Sequence, residues 1–442
     1  MIAIPGVALL ALALIRLLST PRERQLSPWI WVLPAALLAL PLVQLIPLPA
    51  AWVDELPGRA AVARDLSAAG VVRTTATWSL DPLATERCLF FLLAPAGLLV
   101  ASFMLSAREQ EALVLVAVAF ACGSTLLGLW QVMEGPRSTT YLYEFTNRGQ
   151  AVGLFANRNH LASLLAVSVP LACALLIDRY SRVGEGRRDP ICWALAAAIV
   201  LVALGVTATH SRAGFVLLML SVFAGAVIAL LFRPGTGAGA RRWLQICAIV
   251  AGLAIVQFTL IGLLTRLESD PLDDLRWSTL APRTMAAARP FYGSGTGFGT
   301  FTQAYYQLGD QTADIPQIVN HAHNDYIELW LEGGVLAILL TGVVLGFVAW
   351  AMLFRLGSRS ANQRRTAPRT EFSRTAALPL AAGFALLLLA VHSIVDYPLR
   401  TLSLASLAAV LLAVLAGHDG RLVGAQSHRR RMRVPSLGPR PG

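Results

Sequence analysis

The residues most able to do chemistry lie in one polar run, Val319-Asn-His-Ala-His-Asn-Asp-Tyr-Ile-Glu-Leu-Trp-Leu-Glu-Gly-Gly334, after which the chain turns strongly apolar. If a helix reaches back to His321, then His321, Asp325, Glu328 and Glu332 fall at i, i+4, i+7 and i+11 and share one stripe. A neutral imidazole accepts a proton from a hydroxyl near neutral pH, and a carboxylate behind it orients the ring, so the stripe points to His321 as a general base. The plainer alternative is a helix entry, with Asn or His capping the first turn and the acids favoured by the helix dipole. A cap needs one such residue, whereas this run has several, which favours the functional reading.

Other polar positions fit an anionic substrate. Arg276, Arg283 and Arg289 precede the run Gly293-Ser-Gly-Thr-Gly-Phe-Gly299. Forked guanidinium contacts and exposed backbone amides could together hold a pyrophosphate; a flexible hinge explains the glycines equally well. The GK[ST] ending of a P-loop is missing. Arg212 sits in a very short polar break, Ser211-Arg-Ala-Gly214, where it could meet a phosphate or simply snorkel to the interface. In Gly153-Leu-Phe-Ala-Asn-Arg-Asn-His-Leu-Ala162, the residues Asn157, Arg158, Asn159 and His160 interrupt an apolar stretch and either line the same cavity or cap a helix. His392, Asp396 and Arg400 follow at i, i+4 and i+8, to pair with one another or join the site.

The elements that must position these residues are membrane helices. The chain has 442 residues, 56% of them hydrophobic and 14% charged, with a mean hydropathy of +0.62. Apolar runs of roughly 20 residues recur, giving an all-α polytopic transmembrane bundle of about eleven spans. They are placed near 2–18, 28–47, 88–105, 111–133, 158–178, 190–209, 213–232, 244–264, 326–354, 376–396 and 399–417. Residues 1–417 read as one integral membrane domain and 418–442 as a basic, disordered cytoplasmic tail that would favour anionic lipid. Arg22, Arg24, Arg179 to Arg188, Arg233 to Arg242, Arg355 to Arg374 and the tail all fall on one side, which the positive-inside rule makes the cytoplasm. Loops 48–87, 134–157 and the longest, 265–325 between spans 8 and 9, then face outward with the polar clusters. Within the first, Val53 to Leu66 reads as an interfacial helix or an ordered connector.

Several classes are excluded. The net charge of +11 comes from arginines in the short breaks and the tail, with no lysine in the chain, so no nucleic-acid partner is expected. Cys88, Cys122, Cys173, Cys192 and Cys247 lie in or beside apolar runs without CxxC spacing and read as small buried hydrophobes. The first apolar run meets Arg16 instead of a cleavage site, so it is expected to remain as an anchor. Neither zinc-like His/Cys spacing nor a DxD pair is present, so neither a metal nor a cofactor is expected.

Three motifs together, Gly153 to Ala162, Ser211 to Gly214, and Arg276 through the glycine run to His321-Ala-His-Asn-Asp-Tyr-Ile-Glu-Leu, resemble the bacterial O-antigen ligase and O-antigen polymerase superfamily of membrane glycosyltransferases. The resemblance implies an inverting enzyme in the inner membrane that moves a glycan from an undecaprenyl-diphosphate carrier to an acceptor glycan or lipid A core at the periplasmic face. It implies catalytic roles for Arg212 and Arg276 on the diphosphate and for His323 on the acceptor hydroxyl, with Asn157, Arg158, Asn159, His160, Arg283, His321, Asn324 and Glu328 in substrate binding. Arg158 departs from the pattern, standing where many relatives have proline. Polymerase is slightly favoured over ligase, and protein glycosylation or a lipid-linked glycan flippase are the alternatives. The stripe and the resemblance disagree on the base, one choosing His321 and the other His323.

Overall fold

The computed structural model of the chain describes residues 29–183, 189–232, 276–308, 319–363 and 377–417, with isolated positions before residue 16. All but isolated positions of the expected span at 2–18, the expected span at 244–264, residues 265–275 and 309–318 of the 265–325 loop, Cys247 and the basic tail therefore lie outside the described residues. Five long helices come first after the entry segment: α4 (Pro82–Met104), α5 (Ala107–Glu134), α6 (Arg158–Val183), α7 (Pro190–Ala208) and α8 (Arg212–Leu231). They follow α1 (Trp29–Gln44), the strand β1 (Pro47–Pro49), the short helices α2 (Ala50–Asp54) and α3 (Arg59–Ala68), and β2 (Thr75–Thr77). Beyond a turn at 276–280 come α9 (Ala281–Ala288), α10 (Phe301–Leu308), α11 (Asp325–Gln363), α12 (Ala377–His392) and α13 (Leu402–Gly417).

Among the described residues, six helices are long and apolar enough to cross a membrane: α4 to α8, and α11 over Asp325–Gly357. The apolar parts of α1, α12 and α13 are shorter. The chain is thus a multi-pass membrane protein, and these helices fall where spans were expected. Their starts follow local chemistry. Asp81 and Asp189 cap α4 and α7 ahead of a proline whose missing N–H needs no partner there, Ser106 and Glu109 form a reciprocal capping box, and Ser211 accepts from the Gly214 amide. The Asp81 cap starts α4 six residues before the expected boundary at 88.

The 18 most apolar residues of α6 are wholly buried, and α5, α7, α8 and α12 pack around it. Small residues allow the close approach: a Cβ on Gly214 would lie 2.5 Å from the Ala162 Cβ, which seats the start of α8 against α6. The polar motifs gather at one end of the bundle. At the other end, Arg179 pairs with Asp189 at 2.6 Å, Arg182 with Glu111 at 2.6 Å, and Arg355 donates to the Leu415 carbonyl.

Two expectations are corrected at the site end. The helix carrying the acids begins at Asp325, so His321 is a loop residue outside the stripe. The glycine run is not a phosphate cradle, because the protein itself uses its amides. Gly295 N–H donates to the Phe291 carbonyl, Thr296 N–H to Leu331, Gly297 N–H to Glu332, and Phe298 N–H to the Gln44 side chain. The need arises within α11, whose backbone leaves helical geometry at Gly334, where φ is 59° and ψ −155°. A helix broken inside a bundle frees carbonyls that cannot meet water. The glycine run meets those of Leu331 and Glu332, and the Tyr292 carbonyl accepts from Val335 N–H.

The first loop supports that turn. β1 and β2 form a two-stranded antiparallel sheet, which the sequence reading did not anticipate. Arg59 on α3 donates to the carbonyls of Trp78 and Gly295, the latter at 2.8 Å, and Trp78 Nε1 donates to the Ser294 carbonyl at 2.7 Å. The connector reading of Val53 to Leu66 fits these contacts. Gly295 has φ +68°, and a Cβ there would lie 2.3 Å from the Glu332 carbonyl oxygen, in a backbone that cannot yield cheaply. Gly295→Ala is expected to destabilise the fold by more than about 1 kcal/mol, whereas Gly342→Ala, which faces open space, should not. Thermal unfolding of both variants in detergent checks this, and equal melting temperatures would contradict the role given to the turn.

Candidate active site

Site residues arrive on three separate parts of the chain: the start of α6, the segment leading into α11, and the turn between α12 and α13. The ring of Tyr397, in that turn, is their meeting point. Its centroid lies 4.2 Å from that of His321, 4.9 Å from His323 and 4.8 Å from His160. The sequence reading missed Tyr397. Its signal was an aromatic residue immediately after Asp396 in a polar break between two apolar helices.

Each loop histidine has a carboxylate behind it, but not one from a shared stripe. His321 Nδ1 lies 2.8 Å from Glu328 Oε1, and the other oxygen of Glu328 accepts from Ala322 N–H at 2.9 Å. His323 Nδ1 lies 3.3 Å from Asp396 Oδ1. Asp396 is buried and also accepts from Asn159 Nδ2 at 2.5 Å and from Tyr397 N–H at 2.9 Å. His323 has φ 51°, a left-handed conformation uncommon for a side-chain-bearing residue. Such backbone persists where surrounding contacts hold it, and here it turns the ring toward Asp396 and Tyr397.

The two carboxylates differ in their other partners. Glu328 shares its charge with Arg400, whose Nη1 lies 3.0 Å from Glu328 Oε1 and 2.8 Å from Glu332 Oε2, with Nε 3.6 Å from Asp325. Burial works against that guanidinium, but Glu328, Glu332 and Asp325 outweigh it and hold its pKa above the usual value. Asp396 has histidines and amides around it instead. Burial opposes its charge, yet the His323 hydrogen bond and the neighbouring His160 and His392 keep the carboxyl well below the usual range. Burial, then the adjacent Asp396 charge, push the Tyr397 phenol up to about 12, against smaller opposing effects from Asn157 and Arg276.

The remaining site residues divide by placement. Asn324 is the cap of α11: its Oδ1 accepts from the Tyr326 and Ile327 amides at 3.0 Å, and its Nδ2 donates to the Ile394 carbonyl at 2.6 Å. The capping alternative thus describes Asn324, while the two histidines turn to carboxylates. At the start of α6, Asn157 accepts from Asn159 N–H, Asn159 and His160 enter the cluster, and Arg158 donates to Gln150 at 2.7 Å. The Nε2 of His160 is buried without a hydrogen-bond partner among the described residues. Arg276 is half-buried at the head of its turn, near enough for its charge to act on Tyr397. Arg212 is exposed at the start of α8, beside α6, and Arg283 is half-buried on α9. His392, Asp396 and Arg400 do not pair with one another: His392 Nδ1 meets Ser163 Oγ at 2.5 Å, and the other two turn to separate carboxylate and imidazole partners.

Residues 197–342 match the family model Wzy_C, described as O-antigen ligase. Over this stretch the chain is similar to the O-antigen ligase family. This supports the O-antigen ligase/polymerase superfamily and a membrane glycan-transfer function of that type. No curated protein and no solved structure matches the chain. The matched stretch contains Arg212, Arg276, His321, His323 and Glu328, but Asn159, His160, Asp396 and Tyr397 lie outside it. Packing of α6 and the last turn against this stretch brings Asn159, His160, Asp396 and Tyr397 together with His321 and His323.

Asp396 also sets a pH dependence. A carboxyl whose folded pKa is depressed contributes its full stabilisation above the unfolded value of about 3.9 and loses it as the pH falls below. Asp396→Asn should therefore lower the melting temperature at neutral pH and flatten its decline below about pH 4. Unfolding curves across that acid range test this, and parallel declines in both proteins would count against it.

Proposed function

We propose that the protein transfers a glycan from an undecaprenyl-diphosphate carrier to a hydroxyl of an acceptor sugar, at the periplasmic face of the inner membrane. His323 takes the proton from the acceptor hydroxyl, whose oxygen attacks the anomeric carbon opposite the diphosphate. The carbon–oxygen bond to the diphosphate breaks, the configuration inverts, and the departing anion is met by Arg212 and Arg276. Neutralised diphosphate is a good leaving group, so this chemistry needs a base and cations but no metal. Asn157, Arg158, Asn159, His160, Arg283, His321, Asn324 and Glu328 bind or position the substrates, with Asn324 acting through the geometry of the helix start.

The observation that carries this reading is the His323–Asp396 contact at 3.3 Å, with Asp396 held as the anion. Proton abstraction makes an imidazolium, which a carboxylate stabilises best when no stronger cation competes for it. Asp396 offers that to His323. Glu328 is already compensated by Arg400, which makes His321 the poorer base. Lengthening of a lipid-linked repeat is favoured over ligation to a lipid A core because the glycine run followed by His-Ala-His-Asn is closer to the polymerase pattern.

The test is transfer by purified protein from undecaprenyl-diphosphate-linked glycan, read as released undecaprenyl diphosphate and as lengthened product. His323→Ala is expected to lower the rate by about 10²–10⁴-fold, the usual size of a general-base contribution, and His321→Ala by clearly less. Arg212→Ala and Arg276→Ala should each depress transfer while leaving the protein folded in the membrane. Full activity of folded His323→Ala would overturn the assignment of the base. Use of core oligosaccharide in preference to a second lipid-linked repeat would select ligation.

A further inference from the structure

Three imidazoles lie against the ring of Tyr397, and the turn that carries the ring is fixed without them. Tyr397 N–H donates to Asp396 Oδ1 at 2.9 Å, its carbonyl accepts from Arg400 N–H at 3.2 Å, and Arg400 is held in turn by Glu328 and Glu332. Earlier in the same turn the Ile394 carbonyl accepts from Asn324 Nδ2 at 2.6 Å. None of these contacts comes from a histidine, so the ring is presented by a frame that stands on its own. The loop histidines are held less firmly. His323 Nδ1 lies 3.3 Å from Asp396 Oδ1, longer than the roughly 2.7–2.9 Å of a close charge-assisted hydrogen bond. A single long contact leaves the imidazole free to turn about its side-chain bonds.

A rigid aromatic neighbour removes that freedom. The rings of Tyr397 and His323 are inclined at 73° with centroids 4.9 Å apart, the edge-to-face arrangement that aromatic pairs prefer. His321 is tilted by only 33° at 4.2 Å, too close for rings lying side by side, so it stacks on a face of Tyr397. His160, from α6, meets the ring at 83° and 4.8 Å. Burial, then the Asp396 charge, keep the phenol protonated at neutral pH, so Tyr397 adds no second anion beside Asp396. We propose that Tyr397 is a positioning residue whose ring, not its hydroxyl, keeps the His323 imidazole on Asp396 and the His321 imidazole on Glu328. This role rests on His323 being the base: with Nδ1 kept on Asp396, Nε2 is the nitrogen left to take the acceptor proton.

The experiment is steady-state transfer by the whole purified protein from undecaprenyl-diphosphate-linked glycan, comparing Tyr397→Phe, which keeps the ring, with Tyr397→Leu, which does not. Melting temperatures establish that each variant is folded, and Tyr397→Met takes the place of the leucine variant if that one is not. Misplacing a catalytic group by about 1 Å costs about 10²-fold, so Tyr397→Leu should lower kcat by about that factor with KM for the donor nearly unchanged. Tyr397→Phe should recover most of the loss. In a His323→Ala background Tyr397→Leu should add little, because a positioning residue acts only through the group it positions. Full activity of folded Tyr397→Leu, equal losses in the leucine and phenylalanine variants, a loss confined to KM, or the same factor lost again without His323 would each overturn the role. His323→Ala by itself reports on the base. If that variant is slow while Tyr397→Leu is not, positioning by Tyr397 fails and the base stands; if it is fully active, the base assignment fails and this role fails with it.

Discussion

Arg400 lies between Glu328 and Glu332, at 3.0 and 2.8 Å, with Asp325 behind its Nε, and this contact fixes where α11 meets the turn that precedes α13. Buried charges are tolerated only when paired, and removing one partner from such a group typically costs about 3–5 kcal/mol. The constraint runs outward from there. Glu328 fixes His321 and the Ala322 amide, Asp325 accepts from Ser393 Oγ, and Asp325 N–H donates to the Ser393 carbonyl. The end of α12, the start of α11 and the turn carrying Asp396 and Tyr397 are thereby tied together before any substrate is considered.

A second constraint is set by the break at Gly334. Within a bilayer, backbone polar groups left by a broken helix need partners from the protein. The glycine run supplies them, and its glycines are required because its backbone lies almost against that of α11. The first loop, through Arg59 and Trp78, and Thr85 on α4 then clamp the run. Residues far from the histidines thus position Glu332, and through it Arg400.

The two buried carboxylates illustrate how partners decide chemistry. Glu328 and Asp396 each stand behind a histidine, yet Arg400 compensates one and only imidazoles and amide donors surround the other. Identical residue types thereby serve different ends, one fastening the fold and the other available to an imidazolium.

Much of the helical framework was legible in the sequence. Apolar runs of the right length and arginine-rich breaks locate α4 to α8 and α11 to α13, because each depends on neighbours within a few residues. The same local reading identified the polar stretches at the helix ends, and with them nearly every residue of the cluster. It failed where pairing was distant: His323 meets Asp396 across 73 positions, and Asn159 meets it across 237. Helical periodicity relates residues only within a turn or two, so it placed His321 on a stripe that begins at Asp325. It likewise read exposed amides into a glycine run whose partners belong to another helix. The sequence by itself determined which of the described segments form apolar helices and which polar side chains wait at their ends. Only the packing of α6, α11 and the last turn decided which carboxylate stands behind which histidine, because that choice depends on distances between chain segments that no local pattern records.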